Sequence, residues 1–163
     1  MDSIIRKFNL KEVVPNRYLY HLTNKENRSS ILYNGLIPMS FANSSWIDTP
    51  SLLYPNSVFA NNTDYFPCFF PLDEWLYKPV CHNNIEIWRI DTNECSNIWY
   101  RDTNILNSVM TLGKIPPKAL KLFRINRDNI ETPESLLIYG LMLEDYIYPI
   151  DPFTDTPLVK PKK

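Results

Sequence analysis

The stretch YLYHLTNKENRSSILYNGL, residues 18–36, decides how the rest of the chain is read. Tyr18 to Leu22 is a run of aromatic and apolar residues that predicts a strand. Thr23 or Asn24 is the expected N-cap of a helix running to Tyr33, with Asn34-Gly35 as its C-cap pair. In that helix Ile31 and Leu32 share an apolar face, and Lys25, Glu26 and Arg28 are expected in solvent. His21, one of two histidines in 163 residues, stands where the strand gives way to the helix.

Working outward, residues 3–13 place Ile4, Ile5, Phe8 and Val13 near helical spacing, with Pro15 as a stop, and predict a short leading helix. Leu36-Ile37-Pro38 leaves the second helix in extended form. Residues 39–55 read as a long surface loop carrying Trp46 and Leu52-Leu53. NSVFAN (56–61), IEIWRID (85–91), NSVMTLG (107–113) and ALKLFRI (119–125) read as strands, and in IEIWRID the positions 85, 87 and 89 share one face. PLDEWLYK (71–78) is expected to form a helical turn opened by Pro71. Thr132-Pro133-Glu134 opens a closing helix that runs to Tyr146.

This order predicts an α+β fold: one domain over residues 1–155 with a mostly antiparallel β-core flanked by short helices, followed by a basic tail, 156–163. A chain of this length buries roughly 70% of its unfolded surface, so a packed core needs no staples. With 44% apolar and 21% charged residues the composition is that of a globular domain.

Seventeen basic and 18 acidic residues are spread evenly, which argues against bulk nucleic-acid binding. The N-terminus mixes charged with apolar residues instead of forming a signal peptide, and no apolar run is long enough for a membrane span. Cys68, Cys81 and Cys95 are odd in number and widely spaced, which fits a reducing compartment, so a cytoplasmic protein is expected. A zinc centre from Cys68, Cys81, His82 and Cys95 is disfavoured, because structural zinc sites draw on short-spaced ligand pairs. With only three glycines against 14 prolines, neither a P-loop nor a GxGxxG phosphate loop can form.

The segment LYHLTNKENRSSILYNGLIP resembles the first segment of small ADP-ribosyltransferase-fold proteins, in which a strand ends in an aromatic residue, His, any residue and Thr or Ser, before a helix of the form xxxILxxGL. SVFAN is similar to that fold's second strand, and SVMTLGKIPPKALKLFRI to its last hairpin with an IPP turn. The resemblance covers residues 17 to 126. It implies a split, twisted β-core that grips NAD and transfers ADP-ribose to a protein or nucleic-acid acceptor. It also implies that His21 hydrogen-bonds the nicotinamide-side ribose, with Thr23 beside the dinucleotide. A neutral imidazole at a rigid strand end suits a sugar hydroxyl at pH 7. Equally, that imidazole could do no more than tie down the following helix.

Tyr65, Phe66 and Phe69 fall where such a pocket has stacking aromatics, though all three also suit a core. Asn61 or Asn62 stands near the family's Ser. The family's catalytic Glu would fall at Asn107 or Ser108, neither of which carries its charge. Glu86, or Asp91 and Glu94 after it, is the replacement to consider, against the ordinary expectation that a lone strand carboxylate faces water. The RNA 2′-phosphotransferases, a related branch, use His and Arg without a Glu, and Arg89, Arg101 and Arg124 are available here. The expected set is therefore His21 and Glu86 for catalysis, with His21, Thr23, Asn61, Tyr65 and Ser108 holding NAD. The competing functions are a nucleotide-binding module without transfer chemistry, or an interaction protein using the face from Trp46 to Tyr54.

Overall fold

The computed structural model describes residues 5–6, 9–38, 58–61, 85–101, 108–125 and 147–159. Among these residues the strands are β1 (Glu12–Val13), β2 (Tyr18–Asn24), β3 (Val58–Asn61), β4 (Ile85–Asp91), β5 (Trp99–Arg101), β6 (Ser108–Thr111), β7 (Leu120–Ile125), β8 (Ile147–Asp151) and β9 (Thr156–Pro157). Every pairing is antiparallel, in the order β1-β5-β6-β3-β2-β4-β7-β8-β9. An α-helix, α1 (Arg28–Asn34), follows β2 after a 3-10 turn at Lys25–Asn27. The described chain is thus mostly antiparallel β with few short helices, an arrangement compatible with α+β.

The central pair is β2 and β4, matched from Tyr18↔Asp91 to Asn24↔Ile85. β7 continues on the far side of β4, with Trp88↔Leu122 and Ile90↔Leu120. On the other flank β2 meets β3 at a single ladder position, Tyr20↔Asn61. Had the ladder continued, His21 to Thr23 would face Ala60 to Val58, which belong to β3 but pair only with β6.

Directly opposed residues share a face of the sheet. Leu19, His21 and Thr23 therefore lie with Ile90, Trp88 and Glu86, and this file continues through Leu122 and Arg124 to Tyr148 and Ile150. Its apolar members join Ile31, Leu36, Val58, Ala60, Trp99, Val109 and Ile115 in the main buried cluster. α1 lies on this face, supplying Ile31. On the reverse face the Arg89 guanidinium stands 4.2 Å from the Tyr18 ring centre and 4.9 Å from that of Phe123. Leu10, Tyr100 and Met110 form a second, smaller cluster.

Gly35 closes α1 where a left-handed residue is required: its φ is 75°, and its N–H donates to the Ile31 carbonyl at 2.8 Å. Leu36 then bridges Ile115 through hydrogen bonds of 3.0 and 2.9 Å. A Cβ on Gly35 would stand 1.9 Å from the Ile115 carbonyl oxygen, so the close approach itself excludes a side chain.

Several expectations need correction. The leading helix has ended by Glu12, which pairs with Tyr100 as Val13 does with Trp99. Asn24 is both the last residue of β2 and the N-cap of the helical stretch, though without a side-chain cap bond; that stretch opens as the 3-10 turn Lys25–Asn27, and regular α-helix begins only at Arg28. Strands β5, β8 and β9 were not expected; β9 opens the stretch read as a tail. The long loop, the 71–78 turn and the closing helix lie outside the described residues. Among those residues, no helix is long and apolar enough to cross a membrane.

Candidate functional site

Moving along β2, the helix-covered face changes from hydrocarbon to charge. Leu19 sits opposite Ile90, His21 opposite Trp88, and Thr23 opposite Glu86. His21 is half-buried; Thr23, Trp88 and Glu86 are buried. The Thr23 hydroxyl accepts from Asn27 Nδ2 at 2.8 Å and keeps its own proton to donate.

Glu86 is 3% exposed, which corrects the expectation that this carboxylate faces water. A buried carboxylate requires a cation, and Arg28 supplies it. The Arg28 Nε donates to both Glu86 oxygens at 3.1 Å and Nη2 donates to Oε2, a bidentate pair. Arg28 was expected in solvent, yet its side chain is only 13% exposed. It precedes Ile31 and Leu32 by three and four residues, so it shares their helix face and is carried onto the sheet with them. The hydrogen bond to Glu86 raises the Arg28 pKa above its ordinary value and keeps the guanidinium charged.

The same guanidinium reaches the β8–β9 hairpin. Nη2 donates to Asp155 Oδ1 at 2.9 Å and Nη1 to the Pro152 carbonyl at 3.4 Å. Arg124 Nη2 donates to that same Asp155 oxygen at 2.5 Å, and Lys25 Nζ lies 4.0 Å from Oδ2. Burial pushes the Asp155 carboxyl up, but the hydrogen bonds from Arg28 and Arg124 outweigh it and hold the group below the ordinary carboxyl value.

One further group is conspicuous. Trp88 is 2% exposed, and its Nε1 donor finds no acceptor among the described residues. A buried donor of this kind calls for a partner such as a water or a ligand oxygen.

The structure brings His21, Thr23 and Glu86 onto one face. It does not bring Asn61 and Ser108 there: they oppose each other across β3 and β6, and Asn61 opposes Tyr20, one residue out of step with His21. Strand alternation assigns positions 61 and 108 to the reverse face. Tyr65, Phe66, Phe69, Asn62 and Asn107 lie outside the described residues, as do Cys68, Cys81 and His82. Asp91 stands at the far end of β4 from Glu86, where its carboxylate accepts from the Asn93 amide and pairs with Arg17, and Glu94 is exposed beside it. Cys95 is half-buried and free, and burial pushes its thiol pKa up. Among the described residues no group of three or more His, Cys, Asp or Glu side chains is placed to hold a metal ion.

A polar groove of about 370 Å³ runs between Asn93–Asn97 and the turn carrying Lys114, Pro116 and Lys118. It lies beyond the Asp91 end of β4, about 17 Å of strand from Glu86 at about 3.3 Å per residue, so it is separate from the His21 corner.

No protein-family model matches the chain, and comparison with curated proteins gives no match.

Proposed function

We propose that this chain is an NAD-binding protein of the ADP-ribosyltransferase type, with the nicotinamide-side ribose at His21, beside the place where β2 and β3 part. The observation that carries this reading is the juxtaposition of a half-buried imidazole with a buried indole donor lacking an acceptor, directly across the β2–β4 ladder. A ligand oxygen seated between the strands would satisfy that donor, and the Thr23 proton is available beside it. In this reading Glu86 is the acidic residue of the site, acting on an acceptor in a reducing cytoplasm.

A second reading has its own support. Both Glu86 oxygens are engaged by Arg28, and a carboxylate so held is poorly placed to stabilise an oxocarbenium-like transition state. The corner would then bind NAD or ADP-ribose without transferring it.

Incubation with NAD labelled on its adenylate half separates the two. Label appearing on a protein or nucleic acid, and lost in both His21→Gln and Glu86→Gln, identifies the transferase. Stabilisation by NAD or ADP-ribose without nicotinamide release identifies the binding module; at 100 times the dissociation constant it amounts to about 2.7 kcal/mol. No melting shift with NAD, ADP-ribose or other adenine nucleotides sinks both.

A further inference from the structure

Asp155 holds a place that an oxyanion could take. Three cations converge on its carboxylate from three separate elements: Lys25 from the 3-10 turn, Arg28 from α1 and Arg124 from β7. Among the described residues, the only other carboxylate in the cluster is Glu86, bound to Arg28. Three positive groups against two negative ones leave one cation in excess with Asp155 in place, and two in excess without it. Guanidinium groups favour bidentate oxyanion contacts, and a tetrahedral phosphate offers more acceptor oxygens than a carboxylate.

The carboxylate is also built to leave. Residues 153–159 are all exposed, and the Asp155 side chain retains 42% of its exposure. The hairpin is held by its own bonds: Asp155 N–H to the Asp151 carbonyl at 2.8 Å, Phe153 and Thr154 N–H to Asp151 Oδ1, and Leu158 N–H to the Pro149 carbonyl at 2.9 Å. None of these needs the Asp155 carboxylate. The residue sits at φ 60°, a left-handed conformation that Asp and Asn tolerate locally.

We propose that Lys25, Arg28 and Arg124 form a binding site for a phosphate or pyrophosphate group, and that Asp155 on the β8–β9 hairpin is an internal plug that the anion displaces. The proposal does not rest on the dinucleotide reading, since its ligand is recognised by charge and oxyanion geometry, although Arg28 also holds Glu86.

The probe is inorganic pyrophosphate, titrated calorimetrically at fixed ionic strength. Asp155→Asn keeps the left-handed backbone and removes the competing charge. It is expected to bind pyrophosphate about tenfold tighter than the unaltered chain, the size of one charge-assisted contact freed. Adding Arg124→Gln should abolish that gain. An Asp155→Asn protein that binds no tighter, or a gain that survives Arg124→Gln, overturns the proposal. Should either variant fail to fold, carboxyl 13C NMR on the unaltered chain decides. Pyrophosphate should move the Asp155 side-chain carboxyl resonance as its contacts to Arg28 and Arg124 are given up, and an unchanged resonance there refutes displacement. His21→Gln, which removes the proposed ribose contact, should leave the pyrophosphate affinity unchanged.

Discussion

Replacing Arg28 by Met should be among the most destabilising single changes in the described chain. The substitution keeps the helix propensity and much of the apolar stem, and removes the guanidinium that donates to both oxygens of Glu86. Glu86 then remains as a buried carboxylate without its cation, and breaking a buried pair from one side costs about 3–5 kcal/mol. Arg124, already on the same Asp155 oxygen, can reorient toward the vacated space, which places the expectation near the lower end, about 3 kcal/mol. For 163 residues that is a fall in Tm of roughly 6–12 °C. Glu86→Leu alone leaves a buried cation and should also destabilise, but Arg28→Met with Glu86→Leu removes both charges and should return to within about 1 kcal/mol of the parent. Urea denaturation of the four proteins gives the coupling energy, expected at about 2 kcal/mol or more. A loss under about 1 kcal/mol for Arg28→Met, or simple additivity in the double variant, would refute the assignment of this pair as buried and obligatory.

Gly35→Ala should destabilise by about 3 kcal/mol or more in thermal melts, because the added Cβ meets the Ile115 carbonyl at 1.9 Å in a left-handed backbone. Asp155 contributes a pH dependence of definite sign. Its folded pKa lies below the ordinary 3.8, so the unfolded chain binds more protons in that window; the contribution is complete above 3.8 and is lost as pH falls through the folded value. The Tm difference between the parent and Asp155→Asn should therefore be flat from neutral pH to about 5 and close below about 4; the group is partly exposed, so the difference stays within about 1 kcal/mol. Cys95 should alkylate with iodoacetamide at pH 7 more slowly than an unfolded-chain thiol, because burial raises its pKa and depletes the thiolate; peptide mass mapping reads the rate. Trp88→Phe removes a donor that has no acceptor among the described residues, so it should cost little stability while weakening NAD binding; unchanged affinity would remove the indole from the site.

The parts of the fold legible in the sequence were those where periodicity and turn chemistry agree. IEIWRID became β4, ALKLFRI became β7, and Asn34-Gly35 ended the helix as expected. The short strands were not legible, since β1 and β9 have two residues each and exist only through their partners. The burial of Glu86 did have a signal. Trp88 and Ile90 follow it at the same parity, and Ile87 occupies the other face, so a central strand with both faces covered was already written there. Arg28 carried the matching signal through its spacing to Ile31 and Leu32. Each charge looked solvated when read alone; together they satisfy the rule that buried charges come in pairs. For Asn61 and Ser108 the sequence is silent in a different way: spacing along the chain does not reveal register, and these positions stand one step from His21.

Arg28 connects the two proposed sites. Its guanidinium is divided between Glu86, which opposes Thr23 at the end of β2, and Asp155, at the tip of an exposed hairpin. Both contacts are made from the same Nη2, whose two N–H groups are divided between the two carboxylates. If an oxyanion displaces Asp155 and takes up Nη2, Glu86 keeps the Nε contacts and gives up the Nη2 contact. The carboxylate that now looks structural would then become available at the His21 corner, and the hairpin would report on anion binding through one side chain. Coupling of this kind needs a group with two discrete arrangements rather than a continuous wire, and a second position of the Arg28 guanidinium in the pyrophosphate-bound protein is the observation that would establish it.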